Sequence, residues 1–354
     1  MKVTGTLQQQ AWLRRELPPV EQVTRGVWSV PVPIPDNPLR YVLSYVIEHV
    51  SGFVLVDPGW DDPASWQALT DGLAECSVPL DAITAILITH VHPDHHGLSG
   101  AVREKSGAWI GMHEREGTLL TAFAQAARGP ESLGYLRWCG APEEHIGAFA
   151  AFTESRTGGP REMASADRYL SHGELVAVPG LRLRAVWTPG HSPGHLCFHD
   201  ETHGLLLTGD HVLPRITPNI SAYDLESEPL KDYLDSLATL SGLEPGEVLP
   251  AHEYRFAGLD SRLDDLRAHH EERLGEALAI LRARSGAQSA WQVAMRVSWS
   301  RRWDELSAFQ HQAALGEVVA HLRHLQSRQA ATCVAADGVG LWGPTAVVPL
   351  TRSR

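Results

Sequence analysis

The densest group of side chains able to bind a metal lies in the segment THVHPDHHG, residues 89–97. His90, His92, Asp94 and His95 place four ligand-type side chains in six positions, directly after an apolar run. Side chains alternate along an extended loop, so His90 and His92 point the same way, while Asp94 and His95 follow on the turn and can face a second point. Mixed imidazole and carboxylate ligands are typical of Zn²⁺. The motif therefore predicts two adjacent metal ions.

Three further loops supply ligand-type side chains, and each of them also follows a short apolar run. They contain His191, Asp210 and His252, in the segments TPGHSPGH, TGDH and PAHE. A lone TGD or PAH is usually only a turn, but four such loops in order along the chain indicate a shared site. Two cations at such a site generate a hydroxide near neutral pH, so hydrolysis would need no separate serine or cysteine nucleophile.

Together with Asp57, at the end of an earlier apolar run, these loops resemble those of the metallo-β-lactamase fold hydrolases over about residues 24–256. The resemblance implies an α/β fold, a four-layer αββα metallo-β-lactamase sandwich. It also assigns ligands to two ions: His90, His92 and His191 to the first, Asp94, His95 and His252 to the second, and Asp210 between them. Asp57 matches the family's acid that orients a ligand imidazole. Since Asp94 is placed to accept a hydrogen bond from the hydroxide, Asp94 and Asp57 are the expected catalytic residues.

The residue at the bridging position distinguishes branches of this superfamily. Where the commonest dizinc β-lactamases have a cysteine, this chain has Asp210, which resembles the glyoxalase II-like, lactonase and ribonuclease branches. The expected cofactor is therefore two Zn²⁺ ions, with iron or manganese as alternatives. Persulfide dioxygenases keep the same ligand blocks but use one iron, so the motif leaves a mononuclear iron enzyme open.

Other side chains near the ligands are weaker candidates for the site. Arg215 and Tyr223 follow a ligand loop, where they would bind a substrate's anionic group or its oxyanion, or else form a surface salt bridge and a core contact. His195 and His211 adjoin ligands and are expected to support them or to pack beside them. His96 is a spare ligand at most and is expected to face outward.

Short apolar runs alternate with helical patterns over the first 260 residues, which predicts a layered α/β architecture with chemistry at the strand ends. The runs expected to form strands are 27–34, 41–49, 53–56, 83–89, 175–178, 181–187, 196–199, 204–207 and 248–249. Helices are expected at 63–75 and 229–241. We interpret residues 1–22 as an N-terminal arm or short helix and 23–260 as the catalytic domain. The segment 114–172 is interpreted as a helical cap inserted over the site.

Residues 261–354 are interpreted as a small C-terminal winged-helix-like domain. Three helices and a β-hairpin are expected there, at 262–284, 290–297, 311–326 and 331–342. The pair Asp337-Gly338 indicates a type I′ turn in the hairpin. A similar region follows the catalytic domain in a β-lactamase-like subgroup whose members cleave RNA or thioesters. Packing against the catalytic domain or a dimer partner is its expected role, with His321 and His324 on a helix surface.

Charge and hydropathy limit the partners that the chain is expected to have. The formal net charge is −12, and residues 261–354 hold 12 arginines and 9 acidic residues, so the acidic excess lies in residues 1–260. Bulk electrostatics therefore does not favour a polyanion. No run approaches 18 apolar residues, and the first residues lack a signal-peptide core, so we expect no membrane partner and a cytoplasmic location.

These observations favour a dinuclear zinc hydrolase that uses a metal-bound hydroxide on a small ester or thioester, glyoxalase II-like in the broad sense. A metal-dependent endoribonuclease that cleaves single-stranded RNA is the first alternative, supported by the winged-helix resemblance and opposed by the acidic charge. An iron enzyme similar to the persulfide dioxygenases is the second. The expected partner is the small substrate; nucleic acid is less favoured, and a homodimer through the cap or the C-terminal helices is one further expectation.

Overall fold

The computed structural model of this chain describes residues 1–126, 131–155, 163–222 and 224–345. The chain divides into two compact units. The first unit comprises Met1–Gln125, Gly158–Pro218 and Asp232–Leu266, and the second comprises Ala126–Thr157, Asn219–Lys231 and Arg267–Arg354. Among the described residues, no helix is both long enough and apolar enough to span a membrane.

The strands of the described ranges are short, and most are rich in β-branched and aromatic residues, which favour extended backbone. They are β1 Lys2–Val3, β2 Glu21–Thr24, β3 Val27–Pro33, β4 Tyr41–His49, β5 Gly52–Val56, β6 Ile83–Leu87, β7 Trp109–Met112, β8 Arg168–Tyr169, β9 Leu183–Trp187, β10 Leu196–Asp200, β11 Leu205–Gly209, β12 Glu247–Pro250, β13 Phe256–Ala257, β14 Gln288–Ser289, β15 Ala331–Ala336 and β16 Val339–Pro344.

Some of the helices begin at residues suited to helix starts. Helix α2, for example, has Pro63 in its first turn, and its N-cap Asp62 accepts a hydrogen bond from the N–H of Ala64 at 2.8 Å. The α-helices are α1 Thr6–Arg14, α2 Pro63–Glu75, α3 Pro93–His96, α4 Ser99–Ser106, α5 Glu114–Ala126, α6 Glu131–Trp138, α7 Glu143–Ser155, α8 Pro229–Leu240, α9 Leu259–Arg282, α10 Ala290–Ala294 and α11 Ala308–Ser327.

The first unit contains two mixed sheets. The first sheet has the order β2-β3-β4-β5-β6-β7-β8, antiparallel from β2 to β5 and parallel from β5 to β8. The second sheet has the order β1-β13-β12-β11-β10-β9, and in it β11 and β12 run parallel. Parallel neighbours end at the same edge of their sheet. The loops after β5 and β6, and those after β11 and β12, therefore leave their sheets side by side.

Strand β4 shows how the layers of the first unit are built. Leu43 and Ile47 belong to a buried cluster that includes Phe198 of the second sheet, so the two sheets face each other across this core. Val42 and Val46 point the other way, into a second cluster formed with helices α2 and α4. Because strand side chains alternate, a strand buried on both faces is apolar throughout. The predicted α/β fold is confirmed as an α/β fold with two mixed sheets.

The second unit includes a small three-stranded sheet in the order β14-β16-β15. Its hairpin turns at Asp337 and Gly338, which have φ of 50° and 79°, as a type I′ turn requires. Capping boxes begin α10, at Ser289, and α11, at Ser307. The order of elements predicted for this part of the chain is the same: helices followed by a hairpin.

Some elements differ from those expected. Residues 175–178 were expected as a strand, but they form a single bridge, between Leu175 and Arg184, and the N–H of Val178 bonds back to the carbonyl of Val176, which curls the chain. Strand β7 was not expected, because its four residues include a glycine and give too short a pattern. Residues 1–22 contain β1, α1 and the start of β2, so they contribute a strand to each sheet of the first unit.

Candidate metal centre

The predicted ligands follow β6, β9, β11 and β12 of the two facing sheets, and Asp57 follows β5. Two backbone hydrogen bonds join the sheets beside these loops. The N–H of Leu196 bonds to the carbonyl of Thr89 at 2.8 Å, and the N–H of Leu43 bonds to the carbonyl of Ala251 at 2.7 Å. The sheets are thus tied together next to the ligand-bearing loops, which keeps those loops in one place.

The first cluster consists of His90, His92 and His191. Nε2 of His90 lies 2.8 Å from Nδ1 of His92, and Nε2 of His191 lies 3.2 Å and 3.1 Å from those two atoms. The three nitrogens form one small triangle, which is the arrangement that a tetrahedral ion with bonds of about 2 Å requires. The structure thus brings together the three histidines predicted for the first ion.

The second cluster contains Asp94, His95 and His252, with Asp210 beside them. Nε2 of His252 lies 3.5 Å from Oδ2 of Asp94 and 3.2 Å from Oδ1 of Asp210. Nε2 of His95 lies 3.7 Å and 3.5 Å from the same two oxygens. The ligand atoms of Asp94, His95 and His252 all lie within 4.8 Å of one another.

Asp210 stands between the two clusters. Its Oδ1 faces the second cluster, and its Oδ2 lies 3.7 Å from Nε2 of His191 in the first. It also lies within 4.8 Å of ligand atoms of both His90 and His95. This is the bridging position that the sequence predicts for Asp210.

Unsatisfied polar atoms show that these residues fit a metal pair. Within the described part of the chain, Nε2 of His95, Nε2 of His252 and Oδ1 of Asp210 are buried and make no hydrogen bond. Buried polar atoms without partners cost free energy, so a group of them that converges on one point indicates a missing ligand. Imidazole nitrogens with carboxylate oxygens, and no thiolate, are suited to Zn²⁺ or iron.

Side chains and carbonyls behind the ligands hold the imidazoles in orientation. Oδ2 of Asp57 accepts a hydrogen bond from Nδ1 of His95 at 2.8 Å, while Thr89 donates to both carboxylate oxygens of Asp57 at 2.8 and 2.7 Å. Nδ1 of His252 donates to the carbonyl of Tyr41 at 2.8 Å. In both imidazoles Nε2 is therefore the atom directed at the metal site, as Asp57's predicted role requires.

The electrostatics of the two clusters differ. Burial and the neighbouring imidazoles lower the pKa of His92 to about 3 and that of His90 well below its usual range, so both rings are neutral at neutral pH. Burial would raise the pKa of Asp94, but His95 and His252 outweigh it and lower that pKa to about 2. Burial would lower the pKa of His252, but Asp210 outweighs it and raises that pKa to about 10. A metal cation competes with the proton of His252 for the ring nitrogen.

The other histidines beside the ligands have structural partners. His96 was expected to face outward, and this was wrong: its ring is fully buried, with Nε2 on the carbonyl of Ala164 at 2.8 Å and Nδ1 on the hydroxyl of Ser99. The tight turn of α3 directs it inward, behind the ligands. Nδ1 of His195 bonds to the hydroxyl of Thr188 at 2.9 Å, and the His211 ring packs on the ring of Tyr233. Nε2 of His195 and both ring nitrogens of His211 are buried without a hydrogen bond among the described residues, and the supporting role of the two histidines stays a prediction.

The two predicted substrate contacts have different outcomes. Arg215 forms an ion pair with Glu253, whose Oε1 accepts from Nε of Arg215 at 3.1 Å, although the arginine side chain is 57% exposed. Tyr223 lies outside the residues that the structure describes. Glu253 directly follows the ligand His252, so the ion pair places Arg215 next to a ligand-bearing loop.

Sequence reasoning missed Glu116, which joins two of the ligand loops. This fully buried carboxylate accepts hydrogen bonds from the N–H of Val91 at 2.8 Å, the hydroxyl of Ser192 at 2.8 Å and the N–H of Gly194 at 2.7 Å. Burial raises its pKa, and the three hydrogen bonds oppose that rise. Val91 lies between two ligands, and Ser192 follows a third. Glu116 belongs to α5, where no motif marks it.

The C-terminal histidines were also misjudged. His321 and His324 were expected on a helix surface, but both are buried. Nε2 of His321 lies 3.3 Å from Nδ1 of His270, and Nδ1 of His321 donates to the carbonyl of Glu317 at 2.7 Å. Helix α11 is apolar over most of its circumference, which is typical of a helix packed on several sides.

The chain belongs to the metallo-β-lactamase superfamily, since the model of that family, described as "Metallo-beta-lactamase superfamily", matches residues 37–252. The match begins before β4 and ends at the ligand His252, so it includes every predicted ligand loop. With the two clusters of histidines and aspartates, this membership identifies the protein as a metal-dependent hydrolase of that family.

Individual relatives extend the similarity. A metallo-beta-lactamase family protein of Thermus thermophilus is 31% identical and superposes with a TM-score of 0.74, over 91% of this chain and 100% of that one. The "Probable metallo-hydrolase YqjP" of Bacillus subtilis (strain 168) is 28% identical over 275 residues, 71% of this chain and 82% of that protein. The "Lactamase-like protein adaB" of Aspergillus niger is 29% identical over 270 residues, 75% and 67% of the two chains. The similarity to the Thermus protein thus covers more of this chain than the family match over residues 37–252 does.

Proposed function

We propose that this protein is a dinuclear zinc hydrolase of a small ester or thioester, glyoxalase II-like in the broad sense. The observation that carries the proposal is the pair of ligand clusters on either side of Asp210. Zinc is proposed because the donors are imidazoles and carboxylates in closely spaced groups. The same donors suit iron, which makes metal analysis the first test.

The chain's own residues have distinct tasks in the proposed reaction. Bound here, two cations would lower the pKa of a water molecule and polarise the scissile carbonyl. His90, His92 and His191 would hold one cation, and Asp94, His95 and His252 the other. Asp94 has a carboxylate oxygen beside the second cluster, where it can accept a hydrogen bond from the attacking water. Asp57 keeps His95 in the tautomer that presents Nε2.

A small substrate is favoured by charge. The acidic excess behind the net charge of −12 resides in the part of the chain that contains the ligand loops, and such a surface repels a polyanion. The alternative substrate, single-stranded RNA, is supported by the C-terminal residues 261–354, where arginine exceeds acid and where helices precede a hairpin in winged-helix order. We propose that this C-terminal part is a winged-helix-like domain in either case.

Metal content and paired substrates test the proposal. Protein purified without added metal should contain about two zinc ions per chain; about one iron and no zinc would refute the zinc hydrolase and favour a persulfide dioxygenase-like enzyme. Thioester and labelled single-stranded RNA should then be compared in parallel with the Asp94→Ala variant as a control. Thioester turnover that is lost in the variant supports the proposal. RNA cleavage lost in the variant, without thioester turnover, would establish the ribonuclease instead.

A further inference from the structure

Two arginines of the first unit lie around one indole ring. The guanidinium carbon of Arg40 is 3.8 Å from the centre of the Trp12 ring, and that of Arg215 is 5.8 Å from the same centre. Trp12 is itself buried and packs edge-on against Tyr41, with ring centres 5.8 Å apart. The two cations are thus held near each other by a fixed aromatic side chain, which stabilises each of them by a cation–π contact.

Arg40 carries a donor for which the described residues supply no acceptor. Within the described ranges, its Nη1 is buried and makes no hydrogen bond. The residue also has a φ of 65°, in the left-handed region that side chains other than glycine rarely adopt. A buried charged donor without a partner and an unfavourable backbone conformation both cost free energy, and such features occur together at binding sites.

Arg215 is positioned by Glu253 and still has part of its guanidinium available. Glu253 is fully buried and accepts from both Nε and the backbone N–H of Arg215, each at 3.1 Å. The arginine side chain is more than half exposed, so its outer nitrogens reach solvent. Glu253 thus pairs with Arg215, while no carboxylate of the described ranges accepts a hydrogen bond from Nη1 of Arg40.

The pair is linked to the second ligand cluster through Tyr41 and Glu253. Arg40 precedes Tyr41, whose carbonyl accepts from Nδ1 of His252 and whose hydroxyl donates to the carbonyl of Glu253, both at 2.8 Å. Glu253, which holds Arg215, follows His252 in the chain. Each arginine is therefore one residue or one contact away from the backbone that holds a ligand imidazole.

We infer that Arg40 and Arg215 form a subsite for an anionic group, a carboxylate or a phosphate, on the part of the substrate away from the scissile bond. Guanidinium groups bind both anions through paired N–H donors, and charge-assisted hydrogen bonds of this kind are the strong ones. The use of this subsite by a substrate rests on the proposed function. Anion binding itself can be measured without turnover.

Binding to metal-stripped protein tests the subsite directly. Calorimetric titrations would use 4′-phosphopantetheine as the phosphate probe, succinamate as the carboxylate probe and pantetheine as the neutral match. At least one anion should bind, and Arg215→Gln and Arg40→Gln should each weaken its binding on the order of ten- to hundredfold, the loss of one charged hydrogen bond. Arg14→Gln, an exposed arginine on the helix that carries Trp12, should leave binding unchanged.

Two outcomes would overturn the subsite: neither anion binds, or binding is the same in Arg215→Gln and Arg40→Gln as in the unchanged protein. Arg215→Gln alters an exposed side chain, so the test does not depend on whether Arg40→Gln folds. With metal-loaded protein, butyryl-phosphopantetheine and butyryl-pantetheine then separate the roles. Arg215→Gln should raise KM for whichever anionic thioester binds by a larger factor than it raises KM for the neutral thioester. Anion binding without any thioester turnover would refute the proposed function and leave the subsite standing.

Discussion

Replacing Glu116 with glutamine removes one acceptor from a bridge between two ligand loops. One carboxylate oxygen accepts from the N–H of Val91, and the other accepts from Ser192 and from the N–H of Gly194. Glutamine keeps a single oxygen and presents an NH₂ group in place of the second. Whichever way the amide turns, one backbone N–H then faces another donor and has no acceptor.

The expected loss of stability follows from the number of hydrogen bonds that the substitution removes. A hydrogen bond to a charged group is worth about 1.5–3 kcal/mol, and one such bond is lost. We therefore expect Glu116→Gln to lower the free energy of unfolding of the metal-stripped protein by about 1.5–3 kcal/mol. Since Val91 lies between His90 and His92, the loop that carries both ligands loosens. Loss of a residue that orients metal ligands typically reduces metal affinity by about 10–100-fold, and we expect the same here.

Urea unfolding and competition with a chromophoric zinc chelator measure these two quantities. Glu114→Gln is the matched control, because Glu114 is an exposed carboxylate two residues earlier on the same helix. It should change neither value. A Glu116→Gln protein that unfolds at the same urea concentration as the control, and that binds zinc with the same affinity, would show that the bridge does not position the ligands.

Four further predictions concern the site and the hairpin. Asp210→Ala should leave the fold intact, as judged by circular dichroism, but should reduce bound metal and lower activity by orders of magnitude; near-normal activity would disprove the bridging assignment. Asp57→Asn puts an NH₂ group against the N–H of either His95 or Thr89, so metal affinity should fall by about 10–100-fold in the chelator assay. Removing metal with a chelator should abolish turnover and lower the melting temperature, and zinc should restore both. Gly338→Ala forces a side chain into the left-handed region at φ 79°, so it should cost about 1–2 kcal/mol in urea unfolding, whereas Gly343→Ala, in open space, should cost less.

The strand ends and the ligands could be predicted from the sequence because both depend on local patterns. The run 41–49 is apolar on both faces and forms β4 with the predicted bounds. The ligand side chains follow such runs directly, so their convergence required only that the runs form facing sheets. The same reasoning failed for residues 175–178, where an apolar run is present but the chain curls on its own hydrogen bonds.

The remaining features depend on contacts between distant residues. Glu116 is one of the acidic residues near the start of α5, and only tertiary packing distinguishes it from the exposed Glu114. His96 stands next to ligands, and its direction is set by a carbonyl 68 residues away. The partner of Arg40 is Trp12, on a helix that carries no motif. Such residues have no signature in sequence because the geometry that selects them arises only on folding.

The first residues of the chain have a consequence for how the protein folds as it is synthesised. Lys2 and Val3 pair with Ala257 and Phe256, and Gln8 bonds both to Ser29 in the first sheet and to the backbone of Arg255 near the second. The ribosome must therefore complete more than 250 residues before β1 has its partner. Contacts so distant along the chain slow folding, and the edge they protect stays exposed meanwhile. The segment that holds β1 emerges long before its partner strand and is among the last to reach its place.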